Sequence, residues 1–284
     1  MSRFDLTRRQ FLSGVAAAPL VAISATSAYA SLIAPHNYEV TETDVFIRDL
    51  PERFEGFRIT QLTDVHHSRI VALDEVRRVV DLAGQTKPDL IVLTGDYTTT
   101  YRRFIEPCAE ALGSLHAPEG VWAVLGNHDH YTDPELTTGA LERNHITVMN
   151  NVNTTVRRGP DAIQLAGIDD WSWNGTDWKR AFFGLDRRRS SILLSHQPIV
   201  LDLEETKTAS LILSGHTHGG QIKLPFIGAP AARFAAADLK YASGLFRRGE
   251  TQLYVSRGTG VIGLPVRFGV RPEIAVLRLR QAPA

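Results

Sequence analysis

The stretch "LTDVHHSRIV", residues 62–71, places Asp64, His66 and His67 directly behind an apolar run. Carboxylate and imidazole side chains so close together are competent to hold a divalent cation. Similar clusters follow four further apolar runs: Gly95 and Asp96; Gly126, Asn127, His128 and Asp129; Ser195 and His196; Gly215, His216, Thr217 and His218. One such cluster could be a turn, since Gly, Asn and Asp are favoured in turns for backbone reasons. Five in succession, all rich in oxygen and imidazole donors, point to metal chemistry.

The elements that must position these groups alternate in type. "YEVTETDVFI" has the period of a half-exposed strand, and "FRITQL", "PDLIVL" and "GVWAVL" are apolar strands that run into the first three clusters. "LDEVRRVVDLAGQ" has helical periodicity, with Leu73, Val76, Val79, Val80 and Ala83 on one face. "FIEPCAEALGSL" and "DPELTTGALERN" are also helical, the second with Asp133 as N-cap before Pro134. "AIQLAGI", "SSILL", "ASLILS", "TQLYV" and "EIAVLRL" continue as strands. Strand–helix alternation followed by a strand-rich half predicts an α/β layered domain with mixed sheets. Every cluster then lies at the carboxyl end of a strand, the edge where such sheets bind ligands. One catalytic domain is expected over residues 36–284.

With 284 residues, 43% hydrophobic and a net charge of +0, the chain has a globular composition and no broad field for nucleic acid; no nucleic-acid partner is expected. Its single cysteine, Cys108, lies on a helix and reads as buried filler. The amino terminus carries Arg8 and Arg9 before "QFL", then a weakly apolar run ending in "AYA". This pattern resembles a Tat export signal over residues 1–30, with cleavage after Ala30 or retention as a membrane anchor. It implies the Tat machinery as a partner and a periplasmic location, or one on the outer face of the cytoplasmic membrane.

In order, the blocks D-x-H, GD, GNHD, H and GHTH resemble the calcineurin-like metallophosphoesterases, from Asp64 through His218. "GGQIKLP" and "YVSRGTGVIGLPVRFGVRPEI" are similar to a small exported or membrane-associated phosphodiesterase branch. The resemblance implies a four-layer αββα sandwich with two divalent ions at one edge. Asp64, His66 and His218 would take the first ion, Asn127, His196 and His216 the second, and Asp96 would bridge them. His128 would act near the leaving group, with Asp129 placed to orient it. Two divalent ions outweigh the charges of Asp64, Asp96 and a bridging hydroxide, leaving a positive centre suited to an anionic phosphate ester. The hydroxide would be the nucleophile, and His128 could protonate the departing oxygen. Mixed oxygen and nitrogen donors suit Mn, Fe, Zn or Co rather than an all-oxygen Ca or Mg cage.

His67 falls one place beyond the ligand and is expected at the surface or on substrate. His130 is read as a substrate contact or an exposed loop residue, and Arg257 as a phosphate contact or a loop tie. Three tryptophans in "GIDDWSWNGTDWKRAFFGLD" could line a binding rim, touch lipid or pack the loop. With the apolar "LPFIGAPAARFAAADLKYASG", they would suit a lipid-linked phosphodiester. The expected function is hydrolysis of phosphodiester or pyrophosphate bonds. The alternatives are a UDP-diacylglucosamine-type pyrophosphatase, which an exported chain would face away from, a nuclease, and a non-catalytic metal-loaded envelope binding protein.

Overall fold

Strand β3 (Leu90–Thr94) shows how the layers arise. Successive side chains of a strand point to opposite faces, so Leu90 and Val92 enter one apolar cluster and Ile91 and Leu93 another. In the computed structural model, which describes residues 23–229 and 239–283, this two-sided burial repeats across two six-stranded sheets. The first sheet has the order β1 (Glu39–Ile47), β12 (Glu273–Gln281), β2 (Arg58–Leu62), β3, β4 (Val121–Val124) and β5 (Thr147–Val148). The second has the order β10 (Gly244–Arg248), β11 (Thr251–Val255), β9 (Leu211–Ser214), β8 (Ser191–Leu194), β7 (Asp161–Gly167) and β6 (Val152–Arg158).

Leu90, Val92, Leu277, Leu194 and Leu213 fill the space between the sheets. Helices α1 (Leu73–Gln85), α2 (Ile105–Leu112) and α4 (Pro134–Arg143) cover the outer face of the first sheet. α1 buries Val76, Val79, Val80 and Ala83, and Glu75 reaches back to accept from the Ala72 N–H that opens the helix. Asp133 caps α4 by accepting from Leu136 N at 3.0 Å. A short α3 (Asn127–Thr132) follows β4. The second sheet is covered more thinly, by α5 (Trp178–Ala181) and short 3-10 turns such as Pro198–Asp202, over Leu193, Ile212 and Leu253. The expected αββα sandwich is therefore present, with unequal outer layers.

Three strands were not anticipated. β5 has two residues, and β6 "VNTTVRR" and β10 "GLFRR" are polar edge strands pairing antiparallel to their neighbours. Their one-sided exposure removes the apolar run that marks the inner strands.

β2, β3, β4 and β5 run parallel to one another, as do β7, β8, β9 and β11. Gln61 Nε2 donates to Ser214 O at 2.9 Å, and Thr259 N to Thr63 O at 3.1 Å, so the carboxyl ends of both parallel sets meet at one edge. The amino-terminal segment reaches the same edge: Ala30 and Ala34 are buried, and Ala30 O accepts from Arg267 N at 2.9 Å. Arg8, Arg9 and the rest of residues 1–22 lie outside the described residues. Among the described residues, no helix is long and apolar enough to cross a membrane.

Candidate metal centre

The loops leaving β2 and β3 are zipped together beyond the sheet. Asp64 N donates to Gly95 O, His66 N to Asp96 O and His67 N to Tyr97 O, at 3.0, 3.0 and 2.9 Å. This register needs left-handed backbone at Asp64 (φ 52°), His66 (φ 52°) and Asp96 (φ 60°). His216 (φ 73°) and His218 (φ 51°) on the loop after β9 share that conformation. For residues other than glycine it costs on the order of 1 kcal/mol or more each, a pattern that gathers at functional sites. Close packing sets the rest of the frame. A Cβ at Gly215 would collide with the Asp64 carboxylate and the Thr63 hydroxyl, and one at Gly126 with the Asp96 carboxylate.

Two groups of donors result. Ligand atoms of Asp64, His66 and His218 lie within 4.8 Å of one another, and so do those of Asp96, His196 and His216. In the first, His66 Nε2 and His218 Nε2 face each other at 3.1 Å, and His218 Nε2 is 3.3 Å from Asp64 Oδ1. In the second, His196 Nε2 is 3.2 Å from both His216 Nδ1 and Asp96 Oδ2. That same Oδ2 atom is 3.5 Å from His66 Nε2, so Asp96 reaches both groups. Asn127 opens α3 immediately beside the second group, and His128 N donates to Asp96 Oδ1 at 2.8 Å.

The electrostatics fit cations. Burial pushes the His66 imidazole down to about 3 and His216 to about 4, and it holds His218 well below its ordinary value. These rings are therefore neutral, with lone pairs free to bind metal. Burial raises Asp64 to about 6. Burial also opposes charge on Asp96 and His196, but their mutual attraction prevails, holding the carboxyl well down and the imidazole well up. A metal ion at this point would replace the shared proton as counter-charge. His196 Nδ1 donates to Thr94 O at 2.7 Å, which leaves Nε2 as its ligand atom. The neutral His66 and His218 rings bring their Nε2 atoms to 3.1 Å of each other beside the Asp64 carboxylate, a donor set that fits a cation.

Asp129 differs from expectation. Its carboxylate accepts from Asp96 N, Tyr97 N and Gly126 N at 2.8, 2.9 and 2.9 Å, so it fastens the metal loop rather than the His128 ring. As the third residue of α3 it folds back on the helix start, which draws it away from the imidazole. The His128 ring is held by Thr99 O, 2.8 Å from Nδ1. His67 is neither at the surface nor on the metal side: it is buried, with Nδ1 2.9 Å from Val71 O and its ring edge-on to Phe104. Arg257 is a loop tie, bound to Glu39 at 2.9 Å and Glu273 at 3.2 Å. Cys108 is buried, as expected.

Several contacts had no sequence signal. Gln197 Nε2 bridges buried Asp170 (3.2 Å) and Asn127 Oδ1 (3.5 Å). His130 binds Asp169 at 2.7 Å and stacks on Trp173, whose ring also meets Tyr131. The tryptophans divide: Trp178 packs on Phe182, whereas Trp171 and Trp173 are exposed.

The calcineurin-like phosphoesterase family model matches residues 57–220, which include both donor groups. The chain is 34% identical over 283 residues to the uncharacterized metallophosphoesterase YkuE of Bacillus subtilis (strain 168), covering 97% of this chain and 98% of that protein. It is 31% identical over 287 residues to the phosphodiesterase YaeI of Escherichia coli (strain K12), covering 96% and 99%. A transmembrane protein with metallophosphoesterase domain of Danio rerio is 32% identical over 277 residues, covering 93% of this chain and 62% of that protein. With the donor groups at the sheet edge and these likenesses along nearly its whole length, the chain belongs to the calcineurin-like phosphoesterases and is a metal-dependent phosphoric ester hydrolase.

Proposed function

We propose that the chain hydrolyses phosphodiester or pyrophosphate bonds at a dinuclear centre. The observation that carries this reading is Asp96 Oδ2, within 3.5 Å of His66 and 3.2 Å of His196, in reach of both donor groups. Asp64, His66 and His218 would hold one divalent ion and Asn127, His196 and His216 the other, with Asp96 in reach of both. Mn, Fe, Zn or Co suits this donor set. When bound, the ions supply Lewis acidity and make a water acidic enough to attack at neutral pH.

The protein's own groups then divide the work. His128 Nδ1–H donates to Thr99 O, which leaves Nε2 free on the substrate side. Carried as the imidazolium, His128 would pass its Nε2 proton to the departing oxygen and keep the Nδ1 proton on Thr99 O. Asp129 holds the Gly126 and Asp96 amides and so keeps His128 and the bridging carboxylate in register. Gln197 orients the Asn127 amide from its anchor on Asp170. The name of the E. coli relative, the phosphodiesterase YaeI, supports the diester class.

The test is hydrolysis by the Mn-loaded protein of bis(p-nitrophenyl) phosphate against p-nitrophenyl phosphate. Chelator-sensitive diester cleavage, lost in His128→Ala with both metals retained, is the expected result. Preferential monoester cleavage would remove the diester assignment.

The proposed location is the outer face of the cytoplasmic membrane after Tat export, with residues 1–30 retained. Buried Ala30 and its bond to Arg267 support retention. Twin replacement of Arg8 and Arg9 by lysine should leave the protein inside the cell, and the intact mass of the exported protein should include residue 1; a mass beginning at Ser31 would show cleavage.

A further inference from the structure

We propose that the metal-bearing edge of the sandwich docks on the surface of an anionic lipid bilayer. Large exposed apolar side chains gather there: Ile70 follows β2, Tyr101 follows β3, Tyr131 follows β4, Trp173 follows β7, Phe226 follows β9 and Leu264 follows β11. Each lies on the segment that follows the carboxyl end of a strand, Tyr131 within α3 and Trp173 in a 3-10 turn, so all belong to the edge that carries the donor groups. Tyr and Trp are the side chains that settle at a membrane interface.

Charge and chain path specify the occupant. Arg69, Arg103 and Lys223 are exposed on the same loops, and among the described residues none has a carboxylate partner. Arg69 and Arg103 instead lie over the Tyr101 ring, 5.9 and 5.1 Å from its centre. Two carboxylates of this edge are engaged, Asp133 by Arg102 and Glu75 by His36. Basic groups beside interfacial aromatics suit anionic headgroups.

The amino-terminal segment joins this edge as well. Ser31, Pro35 and His36 share a small cleft with Ile70, Val71, Gly260 and Pro265. The chain ahead of it, "FLSGVAAAPLVA" at residues 11–22, is apolar in sequence. A membrane-held start would therefore bring the metal edge, rather than the far end, to the bilayer. The far end is also basic, with a hollow of ≈ 690 Å³ lined by Arg48, Arg187, Arg188, Arg189, Lys207 and Arg247. Its arginines are partly neutralised by Glu250 and Asp186, and among the described residues Phe46 is the one exposed aromatic that lines it. Given the hydrolase reading above, on which this clause rests, the substrate class is a phosphodiester with an apolar tail, presented by the membrane.

Docking is tested without turnover. The full chain, whose only native thiol is buried at Cys108, is labelled with acrylodan at Phe226→Cys, Leu264→Cys or, at the far end, Phe46→Cys. Phosphatidylglycerol vesicles should blue-shift the dye at 226 and 264 and leave it unchanged at 46. Phosphatidylcholine vesicles should do less, and the Arg69→Glu/Arg103→Glu pair should weaken the titration by about tenfold or more. A shift at 46 instead would assign docking to the basic far end. Vesicle flotation without any rim shift would leave only a tether. A rim dye already blue-shifted without vesicles would mean that the chain's own terminus, or a second copy, covers the rim. Each of these three results overturns the proposal. Hydrolysis of a dispersed long-chain diester is measured separately, so a failed substrate leaves the docking result standing.

Discussion

The inter-sheet layer and the metal edge are equally buried and chemically opposite. Leu90, Leu194 and Leu277 are at 0% exposure, and so are Asp64 and His66. In the layer, burial itself is the favourable term. At the edge, burial works against every charged group, and left-handed backbone adds strain. Stability and function therefore reside in separate regions that share one set of strands. The strands carry the tension between them: β3 begins with Leu90 in the core and ends one residue before Gly95 and Asp96.

That division can be broken by substitution, and the largest effect should come from Asp96. Asp96→Ala is expected to lower kcat by about a thousandfold or more, through loss of metal rather than of fold. Metal content by atomic emission should fall below two per chain while the far-ultraviolet circular dichroism is unchanged; retention of two metals would refute the shared role of Asp96. Next, His128→Gln should lower kcat by roughly a hundredfold or more with metal content intact, since it removes only the proton donor. A matched loss of metal would show that His128 is part of the cation cage instead.

Leu277→Ala should do the reverse. It is expected to cost about 2–5 kcal/mol of unfolding free energy, read from urea midpoints, while the folded fraction keeps its metal affinity. A loss of affinity would mean that core and edge are coupled more tightly than the separate clusters imply. The smallest effect is expected from Arg257→Gln. Because Arg257 is tied to Glu39 and Glu273, KM should change by less than about threefold, with a stability loss of about 1 kcal/mol, since Glu273 keeps its hydrogen bonds from Thr41, Tyr254 and the backbone N–H of residue 257. A large rise in KM would restore Arg257 as a phosphate contact.

The edge was more legible in the sequence than its supports were. Asp64, His66, Asp96, His196, His216 and His218 are polar residues set at the ends of apolar runs, a contrast that survives in one dimension. The inner strands were legible for the same reason. β6 and β10 were not, because an edge strand needs little apolar pattern. The role of Asp129 came from the resemblance, which set it to orient His128, whereas its place in α3 directs it to the helix start. The group that does hold His128 is the Thr99 carbonyl, and a backbone atom has no letter of its own. Gln197 and Asp170 meet across 27 positions, a pairing only the fold creates.

The left-handed backbone at Asp64, His66, Asp96, His216 and His218 also constrains how descendants of such a chain could abandon catalysis. Apart from glycine, asparagine and aspartate are the residues most at ease in that conformation. A drifting lineage would thus keep its architecture most readily by exchanging a ligand for asparagine or glycine, whereas valine or isoleucine would disturb the loop as well as the chemistry. Retired enzymes of this kind should be recognisable by those two replacements at these five positions.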